Sequence, residues 1–369
     1  MTDDVTELAR DLIAIDSRSA LSNLPVAERI EAALAGFTIE RLDYTDAAGV
    51  AKRVLVANRG GPGGLALSGH MDTVPDTGWT DDPWSARLAD GVLHGLGSAD
   101  MKGPLAACIV AVQSVPDGVP VTLLVTTDEE TTKAGARLIA TRSALVRQVK
   151  PEGILVAEPT RLAPVRGHRA QVGFTVTATG VQAHSSTGRG RNANWDLVEF
   201  LAEMKALHAR LRSDTALQDA AYDPPFSDFN LVIDNHGAAV NVTVPRATVR
   251  LKYRYSAGID PSFVVRTVQE AAARHGLHLE EAREGTPPEL PVDHKLVRRV
   301  AEATGQAPRT APYGTDASQL QAIAPCVIVG PGDIDVAHSP REHVHVAALQ
   351  RAVGVFAGLC EGWGRMRKA

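Results

Sequence analysis

The sequence predicts an α/β protein whose sheet-forming segments are interrupted by a second, α+β unit of ferredoxin-like order. Three observations carry that prediction. Short β-rich runs alternate with helical stretches through the first 160 or so residues, a β-α-β-β-α-β succession fills 171–282, and the α/β alternation resumes near residue 292. With 369 residues and 44% hydrophobic content, the chain can bury a large core and divide into about two domains.

Val5, Leu8, Ala9, Leu12 and Ile13 fall at helical spacing, so the chain opens on an amphipathic helix. The apolar runs 54–57, 65–68, 121–127, 154–157 and 326–329 are bounded by Gly, Pro or polar turns and read as strands. Stretches 103–114 and 133–146 read as helices between them. In the second unit the expected elements are a strand at 171–179, a helix at 193–212, strands at 229–234 and 240–255, a helix at 261–275 and a strand at 277–282. The expected domain boundaries are 1–169, an insertion at 170–286, and 287–369. The polar stretch 213–228, with Pro224-Pro225, is assigned no element, and no internal repeat is visible.

Composition removes several classes of function. Lys and Arg number 38 against 43 Asp and Glu, a net charge of -5 with no long single-sign run, which argues against a nucleic-acid partner. Cys108, Cys326 and Cys360 are odd in number, far apart and set among apolar neighbours, so they are expected to be reduced core thiols. Residues 1–15 lack a basic n-region and a continuous apolar h-region, which predicts a cytoplasmic protein. No apolar run approaches the ~18 residues of a membrane span, so no membrane partner is expected. The sequon at Asn241 is then a coincidence.

The candidate chemistry lies after strands. Gly69-His70-Met71-Asp72 follows the run 65–68, Asp128-Glu129-Glu130 follows 121–127, Glu158 follows 154–157, and His338 comes after the run 326–329 and a Gly-Pro-Gly turn. Open α/β sheets bind ligands at the carboxyl ends of their strands, so segments distant in sequence would deliver His, Asp and Glu to one sheet edge. Imidazole and carboxylate without cysteine suit zinc or a similar first-row ion in a hydrolytic site; structural zinc would favour cysteine. Asp100, in the turn Gly97-Ser98-Ala99-Asp100-Met101-Lys102-Gly103, is a further acid that can bridge two ions. Taken singly, each is ordinary: a histidine after a strand is commonly structural, and adjacent acids usually form a solvated turn.

Together they resemble a known family. Ser68-Gly69-His70-Met71-Asp72-Thr73-Val74-Pro75, Gly97-x-x-Asp100-Met101-Lys102-Gly103, Thr127-Asp128-Glu129-Glu130, Glu158-Pro159-Thr160 and Ala337-His338-Ser339-Pro340 stand in the order typical of the zinc aminoacylase and carboxypeptidase family, which includes acetylornithine deacetylase and succinyl-diaminopimelate desuccinylase. The resemblance covers essentially the whole chain. It implies a catalytic α/β domain with a mixed sheet and a site for two divalent metals, zinc or alternatively cobalt, plus an inserted ferredoxin-like domain serving dimerisation or as a lid.

The resemblance also implies roles. His70 and Glu158 would hold one metal and Glu130 and His338 the other, with Asp100 bridging; Asp72 would orient His70, and Glu129 would be the general base. His184, in a Gly- and Ser-rich loop, would stabilise the oxyanion in the partner subunit of a homodimer. Asn241 and Arg254 would bind the substrate α-carboxylate, with Gly314 and Thr315 as further substrate contacts. The expected substrate is a small N-acyl amino acid. Glu158-Pro159-Thr160-x-Leu162-x-Pro164-Val165-Arg166-x-His168 and Gly330-Pro331-Gly332-Asp333-Ile334 look nearest to the acetylornithine deacetylases, with desuccinylases, dipeptidases and carboxypeptidases as alternatives. Leu96, Ala157 and Lys252 depart from the family pattern and bear on substrate identity rather than on catalysis. A catalytically silent relative would be expected to lose the base or a ligand, and here all six positions are filled. Gly95-Leu96-Gly97 lacks the third glycine of a dinucleotide-binding turn.

Overall fold

The computed structural model describes residues 4–366. In chain order the elements are α1 (Val5–Ile13), α2 (Leu24–Ala32), β1 (Thr38–Thr45), β2 (Ala51–Arg59), β3 (Leu65–His70), β4 (Arg87–Ala89), β5 (Val92–His94), α3 (Lys102–Ser114), β6 (Val121–Thr126), α4 (Ala134–Arg142), α5 (Ala144–Val149), β7 (Gly153–Val156) and β8 (Val165–His168). There follow β9 (Ala170–Thr179), α6 (Ala193–Ser213), β10 (Asp228–Asp234), β11 (Arg246–Tyr255), α7 (Ser262–Arg274), β12 (His278–Glu284), α8 (Lys295–Thr304), β13 (Arg309–Ala311), α9 (Ala317–Leu320), β14 (Cys326–Ile328), β15 (His343–His345) and α10 (Val346–Met366). The chain divides into two compact units: a larger one reaching Gly167 and resuming at 288–309 and from Thr315, and a smaller one of 168–287 with 310–314. Residues 310–314, expected with the final segment, group with the smaller unit because the Thr310 hydroxyl donates to the Ala221 carbonyl at 2.6 Å.

Among the described residues, the larger unit has a mixed sheet in the order β1-β2-β6-β3-β7-β14-β8-β13 and a small sheet in the order β15-β5-β4. Helices such as α2, α3 and α4 pack on the large sheet, and α1 packs on α3 and α10. In α1, the Asp4 carboxylate caps the helix by accepting from the amides of Thr6 and Glu7, and Leu8, Ala9, Leu12 and Ile13 are buried. Helix α3 is buried from Lys102 through Val112 rather than on one stripe, since it lies against α1, α10 and β3. All three cysteines are buried and free, and burial pushes the Cys360 thiol up to about 12, so each is a core side chain.

Two expected elements differ. The helix expected at 133–146 is two helices, α4 and α5. Ser143 ends the first and caps the second by accepting from the Val146 amide at 2.9 Å, while the Glu40 carboxylate accepts from the amides of Ala144 and Leu145. A carboxylate at that position favours a new helix start over continuation. The strand expected at 240–255 begins only at Arg246, because Pro245 has no amide to donate and the preceding residues bond instead to the loop at 181–185.

The smaller unit is an antiparallel sheet in the order β10-β11-β9-β12, the ferredoxin-like arrangement. Alternation along β9 buries Ala170, Val172, Phe174, Val176 and Ala178, and the neighbouring strands pack with it against α6 and α7. The 213–228 stretch holds one short 3-10 turn, Thr215–Leu217.

Candidate active site

The large sheet decides where the chemistry gathers. Strand β3 pairs in parallel with β6 on one side and β7 on the other, and β14 runs parallel to β7. Their carboxyl ends therefore open at one edge. His70 is the last residue of β3, Asp128-Glu129-Glu130 follows β6, Glu158 lies two residues beyond β7, and His338 is in the loop leaving β14. The structure brings His70, Glu129, Glu130, Glu158 and His338 together with Asp100, which stands just before α3.

Three sets of side chains have their potential ligand atoms within 4.8 Å of one another: His70, Asp100 and Glu158; Asp100, Glu130 and His338; and His70, Glu129 and Glu130. The first two share Asp100. One of its oxygens lies 3.1 Å from His70 Nε2 and the other 3.2 Å from His338 Nε2, and His338 Nε2 is also 3.0 Å from Glu130 Oε1. His70 Nδ1 faces the Asp72 carbonyl at 2.9 Å. A carbonyl only accepts, so Nδ1 carries a proton and Nε2 is the ring nitrogen turned to the cluster; Asp100 and Asp72 hold the imidazole pKa well above its ordinary value, so a cation would displace the Nε2 proton on binding.

These donors fit a cation. Burial and the nearby Asp100 carboxylate push Glu130 up to about 7 and Glu158 well above the ordinary carboxylate range. Without a cation, three carboxylates packed out of water resist ionising together; a divalent ion among them removes that repulsion and accepts both oxygen and imidazole donors. Asp100 itself stays below the ordinary range, because hydrogen bonds from His338 and His70 outweigh its burial.

The turn carrying Glu129 and Glu130 is held from beneath. The fully buried Asp72 accepts from the amides of Glu129 at 3.2 Å and Glu130 at 3.3 Å and from the Ser19 hydroxyl at 2.7 Å. Asp128 adopts a left-handed backbone at φ 60°, uncommon for a side chain with a Cβ. Lys52 Nζ lies 3.0 Å from its carboxylate, the Tyr44 hydroxyl donates to it at 2.6 Å, and the amides of Thr132 and Lys133 donate to its carbonyl. These contacts over-determine the turn and hold it in that conformation. Glu129 is buried, with Oε1 2.8 Å from Lys133 Nζ.

Glu342 and Asp316 were not singled out from sequence. Glu342 Oε1 accepts from the amides of Ala99 and Asp100 at 3.0 and 2.9 Å, anchoring the peptide that presents Asp100. Asp316 is buried and accepts from the Thr126 hydroxyl at 2.5 Å; burial and the neighbouring Glu129 push it up to about 7. Arg341-Glu342 reads as a surface charge pair, and no sequence signal links it to Asp100 more than two hundred residues earlier.

The remaining candidates lie elsewhere. His184 and Asn241 belong to the smaller unit, are exposed, and sit on loops joined by the Ser185 amide donating to the Asn241 carbonyl at 3.0 Å. The Ser186 amide donates to His184 Nδ1 at 3.3 Å, which leaves the neutral ring's proton on Nε2. Arg254 is at the end of β11, and its Nη1 donates to Asp228 on β10 at 2.7 Å. Gly314 falls in the smaller unit; Thr315 falls in the larger one, buried, with its hydroxyl accepting from the Ala317 amide at 3.1 Å.

Comparison with known proteins identifies the family. The model of Peptidase family M20/M25/M40 matches residues 66–362. The chain is 33% identical to the acetylornithine deacetylase of Proteus mirabilis, covering 98% of this chain and 94% of that protein. It is 34% identical to the acetylornithine deacetylase of Myxococcus xanthus, covering 94% and 96%. Among solved structures, the di-peptidase Dug1p of Saccharomyces cerevisiae aligns with a TM-score of 0.76 at 14% identity over 98% of this chain and 96% of that one. A Staphylococcus aureus tripeptidase aligns at 0.73 and 19% identity, over 99% and 100%. Those structures share the fold, and the sequence matches together with the gathered His, Asp and Glu side chains go further: the chain belongs to Peptidase family M20/M25/M40.

Proposed function

We propose that this metal-dependent hydrolase cleaves the amide of an N-acyl amino acid, with N-acetyl-L-ornithine as substrate and L-ornithine and acetate as products. The observation that carries the hydrolytic reading is the sharing of Asp100 by two donor groups, with Glu129 beside them on the same turn. In this reading His70, Asp100 and Glu158 hold one divalent ion, and Asp100, Glu130 and His338 a second. The chemistry that zinc or cobalt supplies there when bound is acidification of water and polarisation of the amide carbonyl.

The chain's own side chains do the rest. Glu129 takes a proton from the attacking water and returns it to the departing amine, with the Lys133 ammonium 2.8 Å from its Oε1 to hold the carboxylate in place. Asp72 holds His70 in the tautomer that ligates and fixes the turn that carries the base. His184, with its Nε2 proton free, donates to the developing oxyanion from the second subunit of a homodimer. Asn241 and Arg254 bind the substrate carboxylate, which for Arg254 means exchanging the Asp228 contact for the ligand, and Gly314 and Thr315 complete the substrate contacts.

The acetylornithine deacetylases at 33 and 34% identity support that substrate over succinyl-diaminopimelate or a dipeptide. It would place the enzyme in cytoplasmic arginine biosynthesis. The test is a substrate panel: purified protein with zinc or cobalt is offered acetylornithine, succinyl-diaminopimelate, other N-acyl amino acids and dipeptides, and kcat/KM values are compared. Acetylornithine should lead, and a dipeptide or succinyl substrate leading instead would displace it. Exhaustive chelation should abolish hydrolysis and added metal restore it; full turnover by metal-stripped protein would end the two-metal reading.

A further inference from the structure

Away from the carboxylate-rich centre, the small sheet gathers a second set of imidazoles. His343 stands directly opposite His94 in the antiparallel β15–β5 pair, and His345 lies two residues along β15 from His343. Strand alternation therefore puts all three on one face of the sheet. The ring centroids of His94 and His343 are 5.7 Å apart, and those of His343 and His345 are also 5.7 Å apart. Residues directly opposite in such a pair have Cβ atoms roughly 4.5–5.5 Å apart. A neighbour two residues along the same strand then supplies a third ligand from the same side.

The ordinary reading is a row of exposed histidines, and two features go beyond it. His343 Nδ1 lies 2.8 Å from the Arg341 carbonyl, so Nδ1 carries a proton and Nε2 is the ring nitrogen left to ligate. Ligating histidines are characteristically held in this way, by a hydrogen bond from the other ring nitrogen to a carbonyl or carboxylate. His343 and His345, though not His94, also line an open cavity of about 490 Å³ with Arg161, Asp333 and Arg351, which leaves room beside them for an ion and its water. Burial, with Arg87, His343 and His345 close by, holds His94 below the ordinary imidazole pKa, which favours the neutral form that ligates.

We propose that His94, His343 and His345 form a site for one transition-metal ion of imidazole preference, Cu²⁺, Ni²⁺ or Zn²⁺, distinct from the centre built on Asp100. The two sites differ in donor chemistry: the first is rich in carboxylate, and this one is all nitrogen. Closing on an ion, with metal–nitrogen bonds of about 2.0–2.1 Å, takes rotation of side chains that are half-exposed or exposed. Solvent completes the coordination.

The test uses the full chain with its catalytic centre first saturated with zinc. Cu²⁺ is then titrated in, and uptake is followed by equilibrium dialysis and by electron paramagnetic resonance. The intact protein should bind one further equivalent with nitrogen hyperfine structure from more than one imidazole. His345→Gln, His343→Ala and His94→Ala should each weaken that binding ~10–100-fold or more, with acetylornithine hydrolysis and thermal unfolding unchanged in His345→Gln, whose side chain is exposed. If the further equivalent is absent, or binds equally well to all three variants, the site does not exist. Neither result bears on the hydrolytic reading, since none of the three residues belongs to it.

Discussion

Glu129 and Glu130 are adjacent acids in one turn, and their surroundings separate them. Glu130 reaches His338 at 3.0 Å, whereas Glu129 meets the Lys133 ammonium at 2.8 Å. Of the two, Glu130 belongs to a donor set that contains Asp100 and Glu129 does not, which suits Glu129 to the base rather than to a ligand. Glu129→Gln should lower kcat by about 10²–10⁴-fold while the protein retains its metal, as measured by elemental analysis of the dialysed variant. Loss of metal with unchanged turnover per bound ion would reverse the two roles. At this scale the sequence was informative because His70, Asp100, Glu129, Glu130, Glu158 and His338 lie in short motifs beside strand ends or Gly-rich turns. Glu342 and Asp316 were not legible, since each acts on a residue far away in the chain: Glu342 on the Asp100 amide, Asp316 on the Thr126 hydroxyl.

The elements were read best where one periodicity sufficed. The spacing of Val5, Leu8, Ala9, Leu12 and Ile13 marks α1, and the structure buries those side chains in the main core. Leu12 is fully buried there, so Leu12→Ala should destabilise the protein by about 2–5 kcal/mol. The check is the shift of the urea midpoint at unchanged m-value, with kcat of the folded fraction preserved; an unshifted midpoint would mean α1 is not part of the cooperative core. Reading failed where a distant group intervened. Residues 133–146 have helical composition throughout, yet the Glu40 carboxylate from β1 starts a new helix at Ala144. Strands β4, β5 and β15, each three residues long, escaped notice because so short a run carries no period of its own.

At the scale of the whole molecule, the smaller unit exposes apolar side chains that its own core leaves uncovered. Trp195 is 74% exposed at the start of α6 and Val198 follows it by three residues, while Val232 and Ile233 are half-exposed on β10, one of the two edge strands of its sheet. An uncovered edge with apolar side chains favours association, which supports the homodimer proposed above. Mixing His184→Ala with Glu129→Gln subunits under exchange conditions tests that proposal directly. A site that keeps its own Glu129 and borrows an intact His184 should recover activity, so the mixture should exceed both parents, each nearly inactive alone. If exchange is verified by mass labelling and no activity returns, His184 does not act across subunits.

The sequence by itself determined the chemical inventory and the order of the two units. Hydrophobic period marks strands and helices locally, and a motif beside a strand end needs only its own few residues to be recognised. The tertiary structure decided which of those groups meet. Asp100 facing His70 with one oxygen and His338 with the other depends on β3, β6, β7 and β14 running in parallel, and on Glu342 holding the Asp100 peptide. The imidazoles of His94 and His343 face each other only through the β5–β15 register, a pairing between residues 249 positions apart. Contacts of that range follow from packing the whole core, so no local pattern in the chain encodes them.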